Sequence, residues 1–497
     1  MENLTRDTAE SYLWNQIAVT LDGLTLTLAT VIVGRVLGPE ALGLFGWVLS
    51  TAGLVTLAAG LGLKEGTTVL LQQLQGDTDG QSGLFRRCMA LRAAGAAAAG
   101  VAMTAVLISA RGVTVALAAA GALYVIVVLF SGLLSSFNIA FFQTSTVARG
   151  KAVSSATSLA LVAVGAAVGS LWVVFGGLAL GALAGAIVFF VPLRGLAVGA
   201  SPGYRLRGLL DLSAALWVIS VANYLLGVQT APMILKAAGV STGEIGLFTA
   251  ALTIALVAGR AFMGGFANVT LAAFSRAWTD GGPEGLARMY SLYVRVTAIF
   301  GVPILLGTIV FAPLLARIPV KQDAGRAALV LTILAGAFLV NRVLGGGAHS
   351  TALYAAGLHR PGLAIRSVFA LCSVVATYFA ARYCGMVGAA AASGGAGVAV
   401  VAAEYLLLRV RRRIAMPWRP LLKLAAACGA IALAAKVIET QRGAFAAGFS
   451  LVVFIVGSYS ALAVARPLSH GEVALIGVKG RLARIMRRFE SPESDGN

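Results

Sequence analysis

Several ionisable side chains stand inside apolar runs of this chain, where a polar group needs a reason. Arg35, Arg260, Arg342 and Arg366 carry guanidinium groups, Lys64 an ammonium, and Asp22, Glu65 and Glu404 carboxylates. A charge at the centre of a bilayer costs roughly 2.5–3.5 kcal/mol on insertion scales, so such groups face a polar cavity or one another. The chemistry open to them is recognition. A planar guanidinium makes paired hydrogen bonds to a phosphate, and an ammonium meets the same group as a point charge. Arg260, near the middle of its apolar run, is the leading candidate for contact with an anionic group, followed by Lys64, Arg35, Arg342 and Arg366. Asn223 and Gln229 offer amide hydrogen bonds to hydroxylated groups, although helix–helix bonds are the commoner use. Asp22 is read as a partner for Arg260, a cation site or a proton carrier, and Glu65, next to Lys64, as a second charge-pairing candidate. Glu404 reads as interfacial. His349 and His359 fall in or beside a short connection and read as solvated loop residues. The four cysteines, Cys88, Cys372, Cys384 and Cys428, are scattered in apolar contexts without metal spacing.

These groups are set in a chain of 497 residues that is 59% hydrophobic and 11% charged. Soluble domains carry about 25% charged residues. Many apolar runs exceed the ~20 residues that cross a ~30 Å hydrocarbon core as helix, and the ~10-residue alternating segments of a membrane β-barrel are missing. Fourteen spans are expected, near 12–34, 41–64, 88–110, 113–137, 153–174, 176–198, 212–234, 244–272, 290–313, 325–347, 362–382, 385–408, 420–437 and 444–465. The first follows a polar leader without a cleavage-type ending and reads as a retained span.

The formal charge of +19 is distributed by side. Arg86, Arg87, Arg149, Lys151, Arg205, Arg207, Arg276, Arg288, Arg360 and the run Arg409, Arg411, Arg412, Arg413 fall in alternate loops, which places both termini in the cytoplasm by the positive-inside rule. The membrane accounts for the basic charge, so no nucleic-acid partner is expected. Residues 466–497 carry Leu482, Ile485, Met486 and Phe489 at helical spacing among arginines, the pattern of a helix lying on an anionic leaflet. The loops leave no room for an extramembrane catalytic domain. No GxxxxGK[ST] phosphate loop appears, and Asp77-Thr78-Asp79 reads as a solvated turn. A transporter is expected, not an enzyme, with no cofactor and with proton or sodium coupling left open.

The chain repeats itself. Gly43-Leu44-Phe45 opens an apolar run after a short loop, and Gly246-Leu247-Phe248 does the same 203 residues later. Phe175-Gly176-Gly177-Leu178-Ala179 and Val387-Gly388-Ala389-Ala390-Ala391 form a second match at an offset of 212. The expected organisation is a tail (1–11), a lobe of spans 1–6 (12–198), a cytoplasmic linker (199–211), a like-oriented lobe of spans 7–12 (212–408), spans 13–14 (409–465) and the basic tail (466–497). The expected fold is thus an all-α polytopic membrane protein of about 14 transmembrane helices, with two parallel-repeat six-helix lobes around a central cavity and two extra helices.

Residues 37–63, LGPEALGLFGWVLSTAGLVTLAAGLGL, resemble the first hairpin of Wzx-like polysaccharide flippases of the multidrug/oligosaccharidyl-lipid/polysaccharide exporter superfamily. ILKAAGVSTGEIGLFTAALTI (234–254) and the stretch from YAAGLHRPGLAIRS to GMVGAAAASGGAG (354–397) resemble later turns and spans of the same family. The resemblance implies transfer of an undecaprenyl-diphosphate-linked oligosaccharide from the cytoplasmic to the outer leaflet of the bacterial inner membrane, through a cavity lined by spans 1, 2, 7 and 8. It also implies work beside a polysaccharide polymerase and chain-length or export machinery. Lipid II flippases and multidrug antiporters of the same superfamily are the alternatives. One departure stands out: family members often carry an acid in span seven, where this chain has Gly227-Val228-Gln229-Thr230.

Overall fold

A computed structural model describes residues 2–74, 76–110, 112–198, 206–260, 266–321, 323–439, 450, 452–458 and 460. The side chains of residues 2–13, Glu65 and Arg260 lie outside that description, as does the basic tail 466–497. Among the described residues there are helices and turns but no strand. In order they are α1 (Glu2–Val36), α2 (Gly38–Gly60), α3 (Leu63–Gln73), α4 (Thr78–Ser109), α5 (Val115–Ala140), α6 (Thr144–Ala167), α7 (Leu171–Phe190), α8 (Arg194–Val198), α9 (Leu206–Leu226), α10 (Ala231–Ala237), α11 (Thr242–Arg260), α12 (Phe266–Val310), α13 (Ala312–Ala316), α14 (Ala324–Val343), α15 (Ala348–Ala355), α16 (His359–Arg412) and α17 (Trp418–Glu439). Among the described residues, eleven helices are long and apolar enough to cross a membrane, and twelve if α9 and α10, bent by 70° around Gly227, make one span. The expected count of fourteen differs for two reasons. The last expected span falls mostly outside the described residues, and α16 is a single run of 54 residues.

That run is a hairpin. Gly385 sits inside it at φ 60° and ψ −146°, a conformation that only glycine adopts without strain. Arg366 and Glu404 lie 19 residues on either side and form an ion pair, whereas a straight helix would hold them ~57 Å apart. The long helix α12 turns back in the same way at Gly282 (φ 54°, ψ −143°). Phe274 and Tyr293 then meet with ring centroids 5.7 Å apart. Three residues after each break another glycine lets the returning arm pass close. A Cβ at Gly285 would lie 2.2 Å from the Ala277 carbonyl oxygen, and one at Gly388 2.3 Å from that of Ala380.

The helices pack into two compact units. The first comprises Met1–Thr253, Arg317–Ala324 and Ala370–Ser393; the second comprises Ile254–Ala316, Gly325–Phe369 and Gly394–Asn497. Within the first, α6 and α7 form a close antiparallel pair against α1 and α5. Glycine on α7 makes that possible: a Cβ at Gly181 would lie 2.0 Å from Ser158 Oγ. Such small-residue interfaces are how apolar helices associate where no hydrophobic force distinguishes helix from lipid. The two copies of Gly-Leu-Phe meet here as well. Cβ atoms at Gly43 and Gly246 would lie 1.8 Å from the Thr242 oxygen and 1.9 Å from the Pro39 oxygen, respectively. Each glycine thus faces the residue four before its counterpart, and the α2–α11 crossing has local two-fold character. Phe45 and Phe248 are both fully buried, and Thr30 and Thr253 hydroxyls lie 3.4 Å apart nearby. In the second unit α12, α15 and α17 enclose an apolar core around Tyr290, Leu353 and Cys428.

Candidate functional site

A cavity of about 370 Å³ opens in the first unit between α2, α4, α5 and α9. Its lining combines two cations, Lys64 and Arg92, with three aromatic side chains, Tyr124, Trp217 and Tyr224, and with Thr56 and Ser220. The local sequence explains why the cations lie here. The helix α2 stops at Gly60, because Leu61 and Gly62 both turn left-handed (φ 50° and 64°). Gly62 is required twice over, since a Cβ there would also lie 2.1 Å from the Ser213 carbonyl oxygen. The chain restarts as α3, which puts Lys64 on its first turn and not at the end of α2, with the side chain exposed. Across from it Arg92 projects from α4 and is 3% exposed. Its Nη1 comes within 3.6 Å of a Cβ built on Gly60, beside the carbonyl end of α2, where a cation is favoured by the helix dipole.

The opposite wall is held by α9. Trp217 Nε1–H donates to the Leu57 carbonyl at 3.0 Å. Tyr224 O–H donates to the Ser50 carbonyl at 2.7 Å. Gly53 leaves room for the hydroxyl, since a Cβ there would lie 2.3 Å from it. The Ser50 hydroxyl in turn donates to the Gln229 carbonyl at 2.8 Å, in the bend between α9 and α10. A cavity that combines cations with aromatic faces and hydroxyl and indole groups can hold an anionic group joined to a hydroxylated one.

Among the described side chains singled out in the sequence, Lys64 alone lines this cavity. Arg260 ends α11, but its side chain lies outside the described residues, as does that of Glu65. Arg35 donates to the carbonyls of Arg317 (2.7 Å) and Ile318 and so fastens the end of α1 to that segment. Asn223 is exposed on α9 and Gln229 half-buried at the bend. Asp22 pairs with Lys151 of α6 at 2.7 Å. The loop expected before span five is helix from Thr144 onwards, which draws Lys151 two turns into α6.

Arg342, Arg366, Glu404 and His349 lie in the second unit. Arg342 Nη2 donates to the Gly259 carbonyl at 2.9 Å, with its stem over Gly301. Arg366 grips both Glu404 oxygens, through Nε and, at 3.2 Å, through Nη2. Glu404 is fully buried within the protein, and the α16 hairpin brings a guanidinium to it. The expectation of a solvated His349 is corrected. It is fully buried, its Nδ1 is 3.0 Å from Tyr290 Oη, its Nε2 faces the Leu344 carbonyl, and its ring stacks on Tyr290. Asp77 is the N-cap of α4, accepting from Gly80 N–H at 2.8 Å, which gives the Asp-Thr-Asp run a structural role.

The fold is similar to that of solved MATE-family and other MOP-superfamily transporters. A multidrug-resistance MATE family transporter in an inward-facing conformation aligns with a TM-score of 0.65 and 18% identity over 79% of this chain and 94% of that one. A MOP superfamily transporter from Pyrococcus furiosus, described as having a binding pocket of reversed polarity, gives 0.62 and 14% over 82% and 95%. An outward-facing MATE structure gives 0.60 and 17% over 82% and 95%. No curated protein sequence matches the chain. The chain belongs to the polysaccharide biosynthesis protein family, whose model matches residues 32–320. That stretch contains all the cavity-lining residues.

Proposed function

We propose that this chain moves a polyprenyl-diphosphate-linked oligosaccharide from the cytoplasmic to the outer leaflet of a bacterial inner membrane, with both termini in the cytoplasm and two lobes rocking in alternating access. The observation that carries the reading is the pairing of Lys64 and Arg92 with aromatic walls in one cavity. The cations suit the diphosphate, the tyrosines and tryptophan suit the sugar, and the polyprenyl tail stays in lipid. Arg260, from the sequence, is a further candidate contact for the diphosphate, and the polymerase and export machinery would receive the product. Fixed positive charge in the cavity disfavours the organic cations that drug antiporters carry. Membership of a polysaccharide biosynthesis family supports a sugar-bearing substrate.

The test is a deletion strain in which lipid-linked saccharides are extracted and their leaflet assigned by a membrane-impermeant periodate treatment. Accumulation of a polyprenyl-diphosphate oligosaccharide protected on the cytoplasmic side, relieved by the wild-type gene and not by Lys64→Gln/Arg92→Gln, is the expected result. Accumulation of lipid II would place the chain with peptidoglycan-precursor flippases instead. No lipid-linked saccharide, together with new sensitivity to organic cations, would overturn the proposal.

A further inference from the structure

The wall made by α9 is joined to α2 in a regular way. Trp217 and Tyr224 are seven residues apart, as are their acceptors Leu57 and Ser50, so two successive pairs of turns on antiparallel helices are laced by side-chain donors to main-chain oxygens. Both aromatic rings and both acceptor-bearing segments line the cavity. The lacing is asymmetric. A helix carbonyl has two lone pairs and can lose a side-chain donor while keeping its backbone amide. An indole N–H or phenol O–H in a partly dry cavity needs a replacement acceptor, and leaving it without one costs more than the net worth of the bond. The two donors are thus held on α2 until another oxygen acceptor reaches them. A saccharide hydroxyl can supply one while the sugar ring covers the apolar ring faces. Gly53 and the Ser50–Gln229 bond locate the yielding point. Gly53 admits the Tyr224 hydroxyl, and Ser50 ties the same turn of α2 to the bend between α9 and α10, so withdrawal of Tyr224 loosens α2 from a helix already broken at Gly227.

We propose that Trp217 and Tyr224 form a saccharide-displaceable latch: in the empty cavity they bind the Leu57 and Ser50 carbonyls, and a bound sugar takes over their donors and frees α2 from α9. This rests on the reading of the cavity as the site for a diphosphate-linked sugar. It divides that site into a diphosphate end that gives affinity and a sugar end that reports occupancy to the helices.

The experiment uses full-length protein in nanodiscs, labelled with 5-fluorotryptophan, with the Trp217 resonance identified by Trp217→Phe. Two probes are compared: farnesyl diphosphate, and farnesyl diphosphate linked to N-acetylglucosamine. The expected result is that both bind, that only the sugar-linked probe moves the Trp217 fluorine resonance, and that Tyr224→Phe, which lacks the donor in the empty and in the sugar-bound cavity alike, leaves the affinity for either probe within about twofold of wild type. Tyr224→Phe keeps the ring, so folding is preserved, and the unaltered affinity for farnesyl diphosphate is the internal check. If both probes bind and neither moves the resonance, the latch is overturned while the diphosphate site stands. If neither probe binds, the latch and the cavity assignment fail together.

Discussion

At the scale of single residues, the second unit contains a carboxylate with no access to water and one guanidinium to answer it. Glu404 is fully buried and both its oxygens are engaged by Arg366. Two charges brought out of water repay their desolvation only through geometry of this kind, and removing one partner leaves the other as an uncompensated charge. Arg366→Leu is therefore expected to destabilise the purified protein by about 3–5 kcal/mol, the range for breaking a buried pair. Arg366→Leu/Glu404→Leu should recover most of the loss, because it removes both charges. A thermal-unfolding series in detergent checks this, and equal losses in the single and double variants would show that packing and not charge holds the site. Arg92 is the contrasting case. Its side chain belongs to the cavity and to the open end of α2, so Arg92→Lys should keep the fold yet lower transport. The ammonium keeps the charge but loses the planar fork that pairs with phosphate oxygens. Transport of a lipid-linked saccharide by Arg92→Lys at the wild-type rate would remove Arg92 from the binding role.

At the scale of helices, the repeat read in the sequence has a physical meaning that the sequence could not display. Gly43 and Gly246 are equivalent by offset, and in the structure they bring α2 and α11 into backbone contact. Added methyl groups at these positions meet carbonyl oxygens, which cannot rotate away as a side-chain tip can, so each Gly→Ala change should cost about 1–3 kcal/mol as overpacking. Because both methyls press on one crossing, Gly43→Ala and Gly246→Ala should be sub-additive: once the helices have separated for the first, the second meets less resistance. Strict additivity in a thermal-stability cycle would mean that the two sites do not share a contact. Periodicity and hydropathy made the spans legible, and the glycines marked where helices would approach. What remained hidden depended on register and on turns. The sequence alone puts Lys151 in a loop and offers Asp22 only Arg260 as a partner, because nothing in it shows that α6 begins at Thr144. Arg92, five residues beyond the Arg86-Arg87 pair, carries no mark in the sequence that sets it in a cavity. Glu404 and Arg366 could be matched only once Gly385 was known to fold α16 back on itself.

At the scale of the whole molecule, the cavity cations would hold the proposed substrate but would not drive it. A transporter returns to its starting state after each cycle, so work done in moving Lys64 and Arg92 through the field on the outward stroke is undone on the return, and only the charge of the substrate remains in the balance. A diphosphate diester carries two negative charges. An inside-negative potential favours its outward movement by roughly 2.3 kcal/mol per charge per 100 mV, so the two charges together give a concentration ratio on the order of 10³ at 100 mV. This source of free energy needs no ion-binding acid, which fits a chain that has Gly227-Val228-Gln229-Thr230, without a carboxylate, in its seventh expected span. It also fits an Asp22 already engaged by Lys151. In proteoliposomes with a potassium diffusion potential set by valinomycin, the transbilayer ratio of a fluorescent polyprenyl-diphosphate saccharide should rise with the imposed voltage and reverse with its sign, with protons and sodium equal on both sides. Under the same conditions Asp22→Asn should leave the voltage dependence intact. A ratio indifferent to voltage that follows an imposed pH or sodium gradient, and is lost in Asp22→Asn, would instead make the Asp22–Lys151 pair the site of ion coupling and the membrane potential a bystander.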